Sequence, residues 1–350
     1  MLYTPDAILT CIAQLQRPDG LLPSERVNPN WRYKRLDINV FFTAITVFSL
    51  QRLIPLLSTD ERDIACTILD RATAAYEPFR NKTGLKTYNF YQTNPSRHFP
   101  NGYLFRRFKH FQLPDDADDT TLIYLTTRPT PDELHWLKDK LRQHANLAQS
   151  AAPNTWPSYR NLAAYSTWFG KNMPIELDAC VLSNVLYWVY EYNLPRNRHD
   201  ADSLTFLRSI VEMDHYRTAP FRCAHNYART SLIIYHLARF VAAFDPPELQ
   251  SIRQKLVADA QQELERVPNR MDKILLATSL LRLGHTPPPV DLTDIEADFD
   301  GFTFFIAGLL SAYPQPWLYR HAHRPFWHIR WRCDAHNWTL VLEYTLLANP

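Results

Sequence analysis

DINVFFTAITVFSLQRL, residues 37–53, is followed after a four-residue break by STDERDIACTILDRATAAYE, residues 58–77. The first stretch is apolar on nearly every helical face, whereas the second keeps one polar side. A helix that is apolar all round belongs in an interior, and one with a single apolar stripe shields it. The two kinds recur in LDACVLSNVLYWVY, residues 177–190, and PPELQSIRQKLVADAQQELERV, residues 246–267. This alternation predicts an all-α fold in which inner helices are wrapped by outer ones, an α/α toroid of about six helix pairs.

Apolar spacing, with Asp, Ser, Thr or Pro at the starts, predicts helices over residues 5–17, 38–56, 60–79, 116–128, 131–147, 178–192, 200–215, 225–244, 247–266, 270–283, 302–312 and 335–347. No strand set stands out. Inner-helix N-termini and long connections are expected at one end, where residues 81–114 and 148–177, rich in aromatics, Asn and Pro, would cap the mouth. PFRCAHNYARTSLIIYHL near residue 220 echoes IRWRCDAHNWTLVLEYTLL near residue 329, as helix-pair arrays do. With no linker or low-complexity tract, residues 1–350 are read as one toroid domain.

Composition narrows the function. Hydrophobic residues form 46% of the chain and aromatics 13%, enough to build an interior and line a cavity. Lys and Arg number 38 against 36 Asp and Glu, a net charge of +2 that gives no broad reason to expect nucleic acid. The five cysteines form no CxxC pair, and the N-terminus reads as an amphipathic helix without a basic leader, so a cytoplasmic location is expected. The apolar run from Ile38 to Leu57 is broken by polar residues, so no transmembrane segment is expected. Seven glycines, none in GxGxxG or GxxxxGK, disfavour nucleotide-binding α/β folds.

The chemistry gathers in LPDDADDTTLIYL, where Asp115, Asp116, Asp118 and Asp119 crowd the head of an apolar helix. Acids at a helix start cap it and complement its dipole. One or two suffice for that, and close like charges repel by about 1–4 kcal/mol per pair. Desolvated crowding of this kind keeps one carboxyl protonated near neutral pH, as a general acid requires. Helical spacing puts Asp118 on the face of Thr121, Leu122 and Leu125, toward the interior, with Asp116 and Asp119 flanking it as supports.

Asp116-Ala117-Asp118-Asp119-Thr120 resembles the DxDDT signature of class II terpene cyclases, and Gln16-Arg17-Pro18-Asp19-Gly20 is similar to the QxxDG start of repeats in the wider prenyltransferase and squalene-oxidase-repeat superfamily. The resemblance implies an α/α barrel and an enzyme, an isomerase or lyase, that protonates an isoprenoid or polyene alkene. Asp118 would be the acid in an aromatic-lined cavity. It implies an apolar small-molecule partner, no obligate cofactor, Mg2+ alongside a diphosphate substrate, and a homodimer or lid to close the pocket. Full QW repeats are absent, and the length suits one barrel where the family generally uses two.

Two further constellations compete. Asp178, Cys180 and His225 are similar to the zinc ligands of protein prenyltransferase β subunits, and would make this a zinc-dependent prenyl transferase. Their plainer explanation is a helix start and core residues. The stretch YRHAHRPFWHIRWRCDAHNW, residues 319–338, reads as a solvated basic and aromatic surface whose Arg330 and Arg332 could hold a diphosphate at the mouth. Trp168, Tyr187 and Trp188 are the aromatics expected to face a cationic intermediate. The remaining alternative is a non-catalytic toroid that serves as a binding scaffold.

Overall fold

The computed structural model describes residues 3–108, 111–170 and 173–349. Six helices, α2 (Val40–Leu53), α4 (Ala117–Thr126), α6 (Ala179–Glu191), α10 (Thr230–Phe244), α12 (Arg270–Arg282) and α14 (Asp334–Ala348), pack each against the next, and α14 returns to α2. That closed circuit is the inner ring of an α/α toroid. Around it lie α1 (Pro5–Leu15), against α14; α3 (Thr59–Ala74), against α2; α5 (Pro131–Gln143); α7 (Arg198–Glu212), against α6; and α11 (Gln250–Arg266), against α12. The short α8 (His215–Thr218) and α9 (Pro220–Cys223) lead into α10, and α13 (Pro316–Ala322) precedes the final inner helix.

Burial follows the patterning that predicted it. Every residue of α4 is buried, and in α2 only Gln51 and Arg52 are not. In α3 the buried set is Ala65, Ile68, Leu69 and Ala72, one stripe at helical spacing. Ser58 with Glu61 and Thr130 with Glu133 form capping boxes on the outer helices. Four of the six inner helices start on side chains that accept their own first-turn N–H groups, Asn39, Asp116, Asp178 and Asn269. The two echoing segments both lead into inner helices, α10 and α14.

The segment expected as a helix over 302–312 is instead a strand, β3 (Phe305–Gly308), in a four-stranded antiparallel sheet with β1 (Ser24–Asn28), β2 (Tyr33–Asp37) and β4 (His328–Arg332), in the order β2-β1-β4-β3. The expectation of no strand set is corrected with it. Val27 pairs with Arg330, so the sheet joins the two ends of the chain. Strand β4 runs through the His- and Arg-rich stretch and buries Trp331 and Ile329, so that stretch is a half-buried wall and not a solvated surface.

Gln16 and Gly20 have a structural task. The Gln16 amide donates to the Gly20 and Ile68 carbonyls at 2.9 and 3.0 Å, tying the turn after α1 to α3. Gly20 has φ +86°, and a Cβ there would meet the Arg71 carbonyl oxygen at 2.1 Å. Gly20→Ala is therefore expected to cost more than about 1 kcal/mol, read as a lowered thermal midpoint, whereas Gly84→Ala, with open space around it, costs only the backbone strain.

Candidate active site

Residues at the heads of α4 and α6, described residues of the two long connections and the sheet line a cavity of about 500 Å3. Its lining contains Asp116, Asp118, Asp119 and Glu176 and, among the described residues, no Lys, Arg or His. Aromatic rings form the other wall: Phe41, Phe90, Phe305 and Trp331 touch one another with centroids 5.0–5.8 Å apart in the Phe41–Phe305, Phe90–Phe305, Phe90–Trp331 and Phe305–Trp331 pairs. Trp168 joins them.

The four acids of the cluster have different tasks. Asp115 accepts from the Asn81 and Asn89 amides at 2.5 and 3.2 Å, which fixes the capping loop to the ring. Asp116 caps α4, accepting the Asp119 N–H at 2.7 Å. Asp118 has both oxygens engaged, one by the Asn184 amide of α6 at 2.6 Å and the other by the Tyr227 hydroxyl. Behind Asn184 stands Arg239 of α10, donating to the amide oxygen at 2.5 Å. Burial raises the Asp118 pKa, while Asn184, Tyr227 and the Arg239 charge pull it back.

Asp119 is the exception. It is fully buried, and neither carboxyl oxygen accepts a hydrogen bond from any described donor. Its neighbour is the Asp116 carboxyl, and two carboxyls hydrogen-bond only when one keeps a proton. Burial, then the Asp116 charge, push Asp119 well above the ordinary carboxylate range, so Asp119 is the member of the pair that holds a proton.

Sequence reasoning missed Glu176 and Asn226. Burial, then the Asp178 charge, raise Glu176 to about 8, against the Asn226 amide that donates to it at 2.9 Å. No catalytic motif marks either residue; Glu176 lies in a long loop just ahead of α6, and Asn226 in the short link ahead of α10. These groups set a pH dependence. Their folded pKa values lie above the unfolded value of about 4, so the proton-linked stability is complete below that and is lost as pH rises through the folded values. Stability toward urea is thus expected to decline from about pH 4 to about pH 8, and Glu176→Gln to flatten the upper part of that decline.

Of the other anticipated residues, Tyr187 and Trp188 are buried but do not line the cavity. Tyr187 packs on Phe48 and Phe244, and Trp188 on Tyr124. Arg330 lines a different cavity, and Arg332 is paired with Glu25 and Asp300 at 3.1 and 2.7 Å. The zinc alternative finds no ligand set, since among the described residues no three His, Cys, Asp or Glu side chains come together to hold a metal. Asp178 caps α6 and accepts the Asn226 N–H at 2.9 Å, and His225 Nε2 bonds the Tyr319 hydroxyl at 2.7 Å. Among the described residues no helix is long and apolar enough to cross a membrane.

No protein-family model and no curated protein sequence matches the chain. One solved structure similar to it is an unsaturated glucuronyl hydrolase specific for heparin, with TM-score 0.45 and 12% identity over 99% of this chain and 95% of that one. The toroid itself stands on the closed circuit of inner helices described above.

Proposed function

We propose that the chain is an acid-initiated enzyme, a class II-type terpene cyclase that protonates an alkene of an isoprenoid or polyene in the aromatic-walled cavity. The observation that carries this reading is Asp119: a buried carboxyl that no described donor satisfies, opening onto a cavity with aromatic faces and, among the described residues, no cation. Asp119 delivers the proton, and the Asp116 carboxyl beside it raises the Asp119 pKa and so keeps that proton in place until transfer. Asp118, which the DxDDT resemblance marks as the donor, is held on both oxygens by Asn184 and Tyr227 and serves to position the head of α4. The faces of Phe41, Phe90, Phe305 and Trp168 attract that cation, each by about 0.5–2 kcal/mol where water is excluded. The test is incubation of the purified protein with prenyl diphosphates and squalene-like polyenes, with Asp119→Asn and Asp118→Asn alongside. Cyclised or rearranged product that disappears in the Asp119 variant supports the reading; no product with any substrate ends it.

A second reading rests on Glu176, a second protonated carboxyl in the same cavity but on a different element. Two carboxyls flanking one pocket also suit acid–base cleavage of a glycosidic bond. Turnover of chromogenic glycosides, lost equally in Glu176→Gln and Asp119→Asn, would favour it over cyclisation.

A further inference from the structure

A second, larger cavity of about 1110 Å3 lies behind strand β3. Five arginines line it, Arg160, Arg222, Arg229, Arg320 and Arg330, and among the described residues no Asp or Glu does. In a chain whose net charge is only +2, this is a marked separation of charge, with the carboxyls in one chamber and the guanidiniums in the other. Strand β3 is the partition. Side chains alternate from Phe304, just ahead of it, into the strand, Phe304 and Ile306 lining the arginine chamber and Phe305 and Ala307 the acid one, and Asn226 is common to both linings.

The arginines are poorly compensated. Arg229 pairs with Asp272 of α12, but Arg222 bonds only the Thr155 carbonyl, at 2.7 Å, and lies over the Trp156 ring at 4.4 Å. Arg330 is only partly exposed, and no hydrogen bond or ion pair to its side chain is found among the described residues; Arg320 is likewise without a carboxylate. Five guanidiniums around one hollow, with a carboxylate beside only Arg229 among the described residues, make a locally positive field that favours an anion. Guanidinium forks match the oxygens of phosphate, and a concave chamber of this size admits a small molecule.

We infer that this cavity is a binding site for a multiply charged phosphoryl oxyanion, either inorganic diphosphate or the phosphorylated end of a larger molecule, with Arg330, Arg222 and Arg320 as its principal contacts. The inference uses a different chamber from the acid cluster and does not rest on the reaction proposed there.

Titration calorimetry on the full chain tests it, with inorganic diphosphate, a nucleoside diphosphate and a prenyl diphosphate as separate ligands. Saturable binding of at least one, weakened about tenfold or more in Arg330→Gln and again in Arg222→Gln, is the expected result. Inorganic diphosphate binding as well as the organic compounds assigns the site to the free anion; tighter binding of one organic ligand assigns it to that molecule's phosphorylated end. Asp119→Asn, which lies outside this chamber, leaves the binding unchanged even if it has no effect on any turnover. The absence of saturable binding by all three ligands, or affinities equal to wild type in both arginine variants while each remains folded, overturns the inference. Should Arg330→Gln fail to fold, Arg320→Gln on the exposed rim replaces it, and an unchanged affinity there and in Arg222→Gln overturns it equally.

Discussion

Replacing Asp119 by Asn is expected to remove between about 10^2- and 10^4-fold of turnover while leaving the fold intact. The amide occupies the same volume and its N–H can still meet the Asp116 carboxylate, so the local geometry survives without a transferable proton. It also removes a buried ionisable group that no described donor satisfies. The thermal midpoint at pH 7 should therefore equal or exceed that of the wild type, as happens where a functional group is held at a cost in stability. Asp118→Asn behaves differently. It sets an amide against the Asn184 N–H and the Tyr227 hydroxyl, two donors now facing a group with one acceptor fewer, so the midpoint should fall along with activity. Measuring both readouts on both variants separates the proton donor from the group that holds the site in shape. Turnover retained in Asp119→Asn and lost in Asp118→Asn would return the acid role to Asp118.

Asp37→Ala is expected to be the most damaging single change to stability, about 3–5 kcal/mol by urea unfolding. Asp37 closes β2 with its side chain fully buried, where it accepts from the Asn39 amide at 3.0 Å, the Asn101 amide at 2.7 Å and the Trp331 indole at 2.7 Å. Arg26 of β1 stands 3.1 Å away and is itself nearly buried. One carboxylate thus ties the capping loop, the sheet and the start of α2 together. Removing it leaves a guanidinium without its counter-charge and three donors without an acceptor. Asp37→Asn, which keeps an acceptor for the amides, should recover part of the loss.

The helices were legible because each carries its own evidence: a 3.6-residue apolar period, and caps such as Asn39, Asp116 and Asp178 at its head. The strands were not, because each is only four or five residues long, β1, β2 and β4 are laden with Arg, Lys or Glu, and the pairing that joins the two hairpins, as Val27 with Arg330, spans some 300 residues. Their stability comes from partners that no local window contains. The same division holds for the site. The acidic cluster announced itself by crowding, but Asn184, Tyr227, Glu176 and Asn226 come from other parts of the ring and are unremarkable types in ordinary patterns. Tyr187 illustrates a further limit. It lies three residues beyond Asn184 on α6, so periodicity assigns it nearly the same face, yet one turn deeper the interior is filled by Phe48 and Phe244 and there is no cavity to line. Periodicity gives direction, and depth along the toroid axis is set by what the other five inner helices contribute at that level.

Strand β3 also fixes something that its length would not suggest. Because consecutive residues face opposite ways, deleting one position between Gly301 and Thr303 would exchange the two linings, sending Ile306 among the carboxyls and Phe305 among the arginines. The Phe305–Trp331 and Ala307–Ile329 pairings with β4 are the bolts against that slip. Homologous chains would then be free to vary the residue types along this strand, but not to gain or lose a single residue ahead of it without inverting the polarity of the whole interior.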